Sequence, residues 1–484
     1  MTTDGSTNRM TWGLIALLAL TGLLACFATL PLIWDGAYQF ANTLQQGVPH
    51  VYRGSWQHNY QGRFHSWPLW WPVVWASYFT DHALTLQAIY GMPFLLAPAF
   101  SLAVCWWIVG KESPGLILWA LFGIAIGPLP GQCFAINDSI LLHHLLWPIF
   151  VAMFVRLTRP QIIVLAVLAL FQLAQPMGML NCTGAAGAAL LVAWVRPELR
   201  RRQFVRAGLL VAIAGLCAAR LIAYPDSQAA DEASLAEVAK RWHNGVEWLP
   251  LAGMIFFWAA ALLAGLATWK ADRSGADAAS QRWCSAMGWL AVLAAIIGAG
   301  IWVGWAIDEQ RWRLAVDYRR FVLPLSFPFF LAATIEGLVT ARREQPLVRT
   351  FATVPERRAL PIVLAGTFAL VLVIQSALWF QLVRRLRWEV NSSPQTIVHK
   401  ASLPWTRGTA LDHWSLPTVY LAIEGKHQRK VVLYDDSWAA PLRETPPRIP
   451  VVEWEAYPTE GGYYDFSQAR LGERATREAR WRGR

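Results

Sequence analysis

Apolar runs that approach or reach membrane length recur through most of this chain, and they constrain its fold more than any other feature. A straight crossing of the hydrocarbon layer needs about 20 apolar residues, so the shorter runs require tilt, burial or flanking residues. With 55% hydrophobic and 15% charged residues, the chain is predicted to be an all-α polytopic membrane protein of about eleven spans. The runs lie near residues 12–33, 84–110, 115–130, 140–155, 161–175, 183–195, 207–223, 249–269, 285–305, 321–340 and 360–382.

Arginine and lysine are concentrated in alternate loops between these runs, which is typical of loops on the cytoplasmic side. This bias explains the formal net charge of +11 better than nucleic-acid binding does. The basic loops carry Lys111, Arg156, Arg159, Arg196, Arg200, Arg201, Arg202, Arg206, Lys270, Arg273, Arg282, Arg342, Arg343, Arg349, Arg357 and Arg358. The opposite loops carry Asp35, Asp138, Asp226, Asp231, Glu232, Glu237, Asp308, Glu309 and Asp317.

The partition predicts a cytoplasmic N-terminus at residues 1–11, a membrane module at 12–382 and an outer C-terminal domain at 383–484. The expected location is the inner (plasma) membrane of a bacterium. One cluster opposes this topology, because Arg384, Arg385 and Arg387 follow the last span on its predicted outer side.

The C-terminal domain differs from the rest of the chain, since hydropathy falls beyond Val383. "TVYLAI" and "KVVLYDD" are predicted to be short strands separated by the polar turn "EGKHQR". A small soluble α/β or β domain is therefore expected. Its basic end, "QARLGERATREARWRGR", is predicted to be disordered or a surface helix.

The external loop at 34–83 is too polar for the bilayer core, yet it is rich in aromatic residues. Interfacial helices are expected there, because indole rings favour the headgroup region. A membrane anchor is favoured over a sugar-stacking platform for its tryptophan stripe, whereas Arg63 could meet either a phosphate or lipid headgroups. The candidate substrate-binding residues of this loop are Tyr38, Trp56, His58 and Trp67.

The second external loop reads "PLPGQCFAINDSILLHHLLWPIF" and places Asp138 just before a span, with His143 and His144 inside it. Ionisable groups at such depth are costly and usually face a cavity or a partner. The loop also suggests that Cys133 could form a disulfide with Cys182, although two unpaired thiols are an equal alternative.

A late external loop, "IDEQRWRLAVDYRRFVLPLSFPFF", carries Arg319 and Arg320 into the next span. Two interpretations are open for this pair. Arginine side chains snorkel to lipid headgroups, and the planar guanidinium also binds a phosphate with two parallel hydrogen bonds.

Together, "DGAYQFANTLQQGVPHVY", the acid of the second loop and "RRFVLPLSFPFF" resemble the integral membrane glycosyltransferases of the GT-C superfamily. The resemblance implies a sugar donor linked to polyprenyl phosphate, used on the outer side, and an envelope glycan, lipid or protein acceptor. The chain departs from the usual pattern in having Phe321 where a tyrosine is common and a single acid after the first span. No subfamily is identified.

Such a transfer needs a base for the acceptor hydroxyl and cationic donors for the departing phosphate. Asp35 is the predicted base or acceptor-orienting carboxylate, with helix capping as its structural alternative, and Asp138 is the second catalytic acid. The candidate donor-phosphate ligands are Arg319, Arg320, Arg63, His143 and His144. A divalent metal is left open, and no paired CxxC or HExxH pattern is present.

Three other functions compete with sugar transfer. A polysaccharide polymerase would use the same membrane face. A transporter would gather its ionisable residues near the midplane, whereas here they gather at one surface. A membrane acyltransferase could use His143 or His144 as base, but it leaves the aromatic loop and the arginine pair unexplained.

Overall fold

The computed structural model describes residues 4–33, 35–47, 67–109, 114–126, 138–174, 177–195, 197–223, 330, 333–334, 355–444, 446–452, 455–458 and 462–469. This part is mostly helical, with few strands. The spans predicted near 249–269 and 285–305, most of the one near 321–340, and the basic end of the chain lie outside it. The helices are α1 (Asp4–Phe27), α2 (Asp35–Gln46), α3 (Trp67–Ser77), α4 (Ala83–Leu95), α5 (Ala97–Val109), α6 (Pro114–Ile126), α7 (Asp138–Val151), α8 (Arg159–Phe171), α9 (Met177–Val195), α10 (Arg200–Ala223), α11 (Pro355–Ser392) and α12 (Leu416–Glu424).

Within the described residues, three helical segments are long and apolar enough to cross a membrane, namely Arg9–Phe27, Pro197–Ala219 and Phe368–Ser392. The count becomes four if α4 and α5, which are bent by 43° relative to each other, form one broken span. These segments indicate a membrane protein. The sequence predicted a single continuous span at 84–110, and the break follows Pro93, whose ring disturbs the helical hydrogen-bond ladder.

The predicted alternation of the loops agrees with the contacts at one end of the helical bundle. The Arg206 guanidinium donates to the carbonyl oxygens of Ala152 (2.8 Å) and Val155 (3.4 Å). The Gln161 amide donates to the carbonyl oxygen of Trp107 (3.0 Å). The ends of α5, α7 and α9 and the starts of α8 and α10 therefore lie together, as expected for the arginine-rich side.

At the opposite end, α1 and α4 are in close contact. A methyl group placed on Gly91 would lie 2.2 Å from Cγ of Pro31, so the last turns of α4 lie beside the segment that follows α1, and the start of α4 lies beyond the end of α1. The indole nitrogen of Trp379 in α11 donates to the carbonyl oxygen of Thr29 (2.8 Å). We call this end, where α1 ends and α4 begins, the outer end, after the topology that the sequence predicts.

The C-terminal domain is a small α/β unit. Strands β1 (Ile397–His399) and β2 (Val431–Leu433) are parallel and are joined through α12, whereas β3 (Arg448–Val452) and β4 (Glu455–Pro458) are antiparallel. The predicted strand in "KVVLYDD" is confirmed by β2.

The predicted strand in "TVYLAI" is wrong, because this segment lies in α12. Residues 416–423 are all buried, so the apolar run has no alternating exposed face to distinguish helix from strand. The flanking residues favour a helix: Pro417 lies in its first turn, and Gly425 ends it with a φ of 91°.

Candidate active site

Two helices at the outer end begin at a predicted catalytic acid. Asp35 is the first residue of α2 and Asp138 is the first residue of α7. A carboxylate in the first turn is favoured by the partial positive charge of the helix N-terminus, so the positions suit a capping role as well as a catalytic one. The structure gives the backbone positions of Asp35, Asp138 and Trp67, and their side chains lie outside the described set.

Helix α2 belongs to two hydrophobic cores at once. Ala37, Phe40 and Leu44 are buried in the large core that runs from the membrane module into the C-terminal domain, where the Phe40 ring lies 5.3 Å from that of Tyr90. Tyr38 and Ala41 are buried in the core of the C-terminal domain. The helix that starts at Asp35 is thereby held between the two parts of the chain.

Three side chains of α2 contact the C-terminal domain along one helix face. The Tyr38 ring meets the Trp414 ring edge to face at 5.5 Å. The Tyr457 hydroxyl donates to the Asn42 amide oxygen, and the backbone N–H of Tyr464 donates to the Gln45 amide oxygen (3.0 Å). Helical periodicity places position 35 on the same face as these three positions. The start of α2 therefore faces the C-terminal domain.

Contacts with α4 and the loop before it also hold this domain at the outer end. The Lys426 ammonium lies 3.2 Å from both carboxylate oxygens of Asp81. The Gln87 amide donates to the Ala422 carbonyl oxygen (2.7 Å).

A tyrosine of α12 joins the domain to α11. Burial, with a smaller contribution from the Glu424 carboxylate, raises the pKa of Tyr420. Its hydroxyl stays protonated and donates to the Asn391 amide oxygen (2.9 Å).

The arginine cluster that opposed the predicted topology takes part in the same docking. Arg387 pairs with Glu424 (3.1 Å), and Arg385 pairs with Glu389 (2.9 Å) while its guanidinium lies 4.4 Å from the centre of the Trp405 ring. Arg384 lies over the Phe380 ring of α11 at 5.8 Å, so all three arginines have partners on α11 or in the C-terminal domain. These contacts give the cluster a role in docking, and the side of the membrane on which it lies stays a prediction.

Tyr38 was predicted to bind substrate, and its side chain is completely buried against the C-terminal domain. In this arrangement its ring has no face open to a ligand. Its contact with Trp414 gives it a packing role between the two parts of the chain.

His143 and His144 are both buried inside the bundle, with their ring centres 6.3 Å apart. His143 Nε2 lies 3.4 Å from the Gly123 carbonyl oxygen, and the ring lies 5.9 Å from that of Phe330. Phe330 also stacks on Trp147 at 4.2 Å. Phe330 is the last residue of "RRFVLPLSFPFF". The end of this late motif therefore contacts α7, the helix that begins at Asp138, although the two are far apart in sequence.

A buried polar hub beside these histidines was missed by the sequence reasoning. The Gln172 amide donates to the Leu142 carbonyl oxygen (3.0 Å) and accepts from the Asn181 amide (2.9 Å). The Cys217 thiol lies 3.6 Å from the Gln172 carbonyl oxygen. The signal available in the sequence was a pair of amide side chains, Gln172 and Asn181, at the edges of apolar runs, where polar groups need partners.

The expected position of Cys182 is corrected by the structure. It lies inside α9 rather than in an outer loop, and its thiol is buried and free of a disulfide. Cys133, the suggested partner, lies outside the described residues. The alternative of unpaired thiols therefore holds for Cys182.

Five predicted site residues, Trp56, His58, Arg63, Arg319 and Arg320, lie outside the described residues, and their roles stay predictions. Among the residues that the structure describes, no group of three or more His, Cys, Asp or Glu side chains is arranged to hold a metal ion. The chain matches no protein-family model, no curated protein and no solved structure. The class that the fold defines is a helical membrane protein with an α/β domain docked on one end of its bundle.

Proposed function

We propose that the chain is a membrane glycosyltransferase of the GT-C kind. It transfers a sugar from a polyprenyl-phosphate-linked donor to an envelope glycan, lipid or protein on the outer face of the membrane. One observation carries the proposal: α2, which starts at Asp35, is held between the membrane module and the C-terminal domain. This position of α2 supports the proposal, because it would bring an acid to the level at which a lipid-linked phosphate meets water.

In the proposed reaction, Asp35 accepts the proton of the acceptor hydroxyl while the oxygen attacks the anomeric carbon of the sugar. The bond between that carbon and the phosphate oxygen breaks, and the polyprenyl phosphate leaves with the electron pair. Arg319, Arg320 and Arg63 stabilise the charge that grows on the phosphate. The proton passes from Asp35 to water, which restores the carboxylate.

Asp138 acts as the second acid, since α7 begins at the same end of the bundle. It orients the acceptor, or it would help to hold a divalent metal, which would neutralise the charge that grows on the donor phosphate. Carboxylate oxygens suit such a metal.

The histidines act indirectly in this scheme. His143 begins about 7.5 Å along the axis of α7 from Asp138, and it contacts Phe330. The burial of both histidines favours a positioning role over the predicted direct binding of the donor phosphate. His143 packs against Phe330, which follows Arg319 and Arg320 in the chain, and His144 contacts His143.

The complete topology in this proposal has about eleven spans, a cytoplasmic N-terminus and an outer C-terminal domain. Several features support it: the shared outer end of α1, α4 and α11, the docking of the domain there, and the arginine-rich opposite end. The inner membrane of a bacterium suits a polyprenyl-phosphate donor used on the outer face.

The proposal is tested by mass spectrometry of envelope glycans and lipid-linked sugars in cells with the gene, without it, and with Asp35→Asn. Loss of the gene should remove one glycan and cause its sugar-lipid donor to accumulate. Asp35→Asn preserves shape but removes the base, so it should reproduce this accumulation, with transfer reduced roughly 10²- to 10⁴-fold. Unchanged glycans and lipids in both strains would exclude the transferase. Normal transfer by stably made Asp35→Asn would leave Asp35 with the capping role alone.

A further inference from the structure

Exposed aromatic side chains lie at both ends of the described helical bundle. At the arginine-rich end these are Trp12, Trp107, Trp194 and Phe204. At the outer end they are Trp75, Tyr78, Phe79 and Trp388, whose exposed fractions range from 61% to 89%. We call the second group the outer belt.

The heights of the two groups can be compared through the contact between Trp379 and Thr29. Trp388 follows Trp379 in α11 by nine residues, or about 13 Å along the helix axis. Trp12 precedes Thr29 by seventeen residues, mostly in α1, or about 25 Å. The two groups are therefore separated by roughly 40 Å, which is close to the full thickness of a bilayer with its headgroups.

The aromatic residues near α3 reach the same height as Trp388. Tyr78 and Phe79 directly follow α3 and lie four to five residues before α4, which begins eight residues before Gly91. Gly91 contacts Pro31, next to the level of Thr29, so the start of α4 lies about 12 Å above that level. The turn that carries Tyr78 and Phe79 is therefore close in height to Trp388.

The composition of the surface points to lipid as the occupant of this belt. Helix α3, "WPLWWPVVWAS", contains no charged residue. The described residues of the C-terminal domain behave in the opposite way, since no large hydrophobic side chain is exposed between 393 and 469 in the part that the structure covers. A surface in water hides such side chains, whereas Trp and Tyr are enriched at membrane interfaces.

We infer that Trp75, Tyr78, Phe79 and Trp388 sit in the headgroup layer of the outer leaflet and fix the depth of the protein in the membrane. Helix α2 then lies inside this layer, between the level of Thr29 and the belt, and the docked domain lies in the water directly above it. The inference rests on the membrane class of the protein and does not depend on sugar transfer.

Nitroxide depth measurements test this inference on the full chain in phosphatidylcholine–phosphatidylglycerol nanodiscs. Single labels go at Trp75→Cys, Phe79→Cys and Trp388→Cys, with Cys133 and Cys284 replaced by serine. Leu370→Cys, on the exposed surface of α11, is the control for the bilayer core, and Arg429→Cys, on the exposed surface of the C-terminal domain, is the control for water. Collision with oxygen relative to a water-soluble nickel complex reports the depth of each label.

The belt labels should give equal depths, intermediate between the two controls. Belt labels that resemble Arg429→Cys would place the aromatic surface in water, and labels that resemble Leu370→Cys would place it in the core; either result overturns the inference. Strong dipolar broadening between belt labels would also overturn it, because a second copy of the chain would then cover the surface. Phe79→Cys and Trp388→Cys lie on different elements, so failure of one variant to fold leaves the other as the test.

Discussion

The indole nitrogen of Trp379 donates a hydrogen bond of 2.8 Å to the carbonyl oxygen of Thr29. Thr29 has a left-handed backbone conformation, with a φ of 63°, which is costly for a β-branched residue. This turn ends α1 and directs the chain towards the start of α2. A side chain some 350 positions later in sequence therefore supports the backbone that sets the place of Asp35.

Trp379→Phe should lower the stability of the membrane module. The substitution keeps an aromatic ring but leaves the buried Thr29 carbonyl without this donor, at a cost of about 1–3 kcal/mol. Thermal unfolding in detergent measures the change. Trp388→Phe is the matched control, because Trp388 is exposed and its replacement should leave unfolding nearly unchanged. Equal effects of the two substitutions would show that the hydrogen bond does not support the turn.

Gly462→Ala should loosen the C-terminal domain from α2. Gly462 has a φ of 94°, and a methyl group there would lie 2.4 Å from the amide nitrogen of Gln45. Hydrogen exchange should become faster in α2 and in residues 455–469, and limited proteolysis should release the domain sooner. Gly184→Ala is the control, since a methyl group there meets nothing within 4 Å and alanine favours a helix. Unchanged exchange in Gly462→Ala would mean that the contact between α2 and the C-terminal domain accommodates the added methyl group without loss of stability.

Sidedness is tested with cysteine reporters and an impermeant thiol reagent on intact cells. Labels at Arg429→Cys and Asn244→Cys should react from outside, and Ser274→Cys should react only after permeabilisation. Arg429 is exposed on the docked domain, and Asn244 and Ser274 belong to loops predicted to lie on opposite sides. Labelling of Ser274→Cys in intact cells would reverse or abolish the proposed topology.

The surface loop around Asp465 should become less stable at low pH. Hydrogen bonds from the backbone and side chain of Ser467, followed by that from His427, lower the pKa of Asp465 from its ordinary 3.8. Because the folded state holds the proton less tightly than the unfolded state, this contribution is full above pH 3.8 and disappears as the pH falls through the lower folded value. Asp465→Asn should make the rate of hydrogen exchange in residues 462–469 less dependent on pH. An identical acid response in the variant would remove Asp465 as its source.

The proposed donor-phosphate role of Arg320 predicts a graded response. Arg320→Ala should reduce transfer roughly 10²-fold by removing a donor to the phosphate. Arg320→Lys should reduce it less, since lysine keeps the charge and loses the planar fork. Rates with the sugar-lipid identified from the deletion strain provide the measurement. Full activity of stably made Arg320→Ala would move this role to Arg63 or Arg319.

The sequence predicted what depends on local pattern and missed what depends on distant contacts. The apolar runs correctly located α1, α10 and α11, since composition alone marks a spanning helix. Helix α12 was taken for a strand because its burial on every side hides the helical period. Sequence patterns did not predict that the C-terminal domain docks on α2, because residues such as Tyr38 and Trp414 come together only in the folded chain.

The candidate site was also predicted in part: local patterns located some of its residues, and contacts between distant residues were missed. Acids at the starts of α2 and α7 were recognised from their place next to apolar runs. The burial of Tyr38, the helical position of Cys182 and the Gln172 hub depend on how helices pack, which charge and hydropathy do not encode. The arginines near the end of α11 oppose the predicted topology, and their partners Glu424 and Trp405 are too far away in sequence to be found from a local pattern.

The shared membership of α2 in two cores has a consequence for the smallest unit of this protein that can be produced intact. A chain ending at residue 392 would leave Tyr38 and Ala41 without their covering partners, and it would remove the donors that Tyr457 and Tyr464 offer to the amide oxygens of Asn42 and Gln45. Such a truncation would expose apolar side chains of α2 next to the predicted membrane surface and would favour self-association of the protein. Expression trials should therefore retain the C-terminal domain.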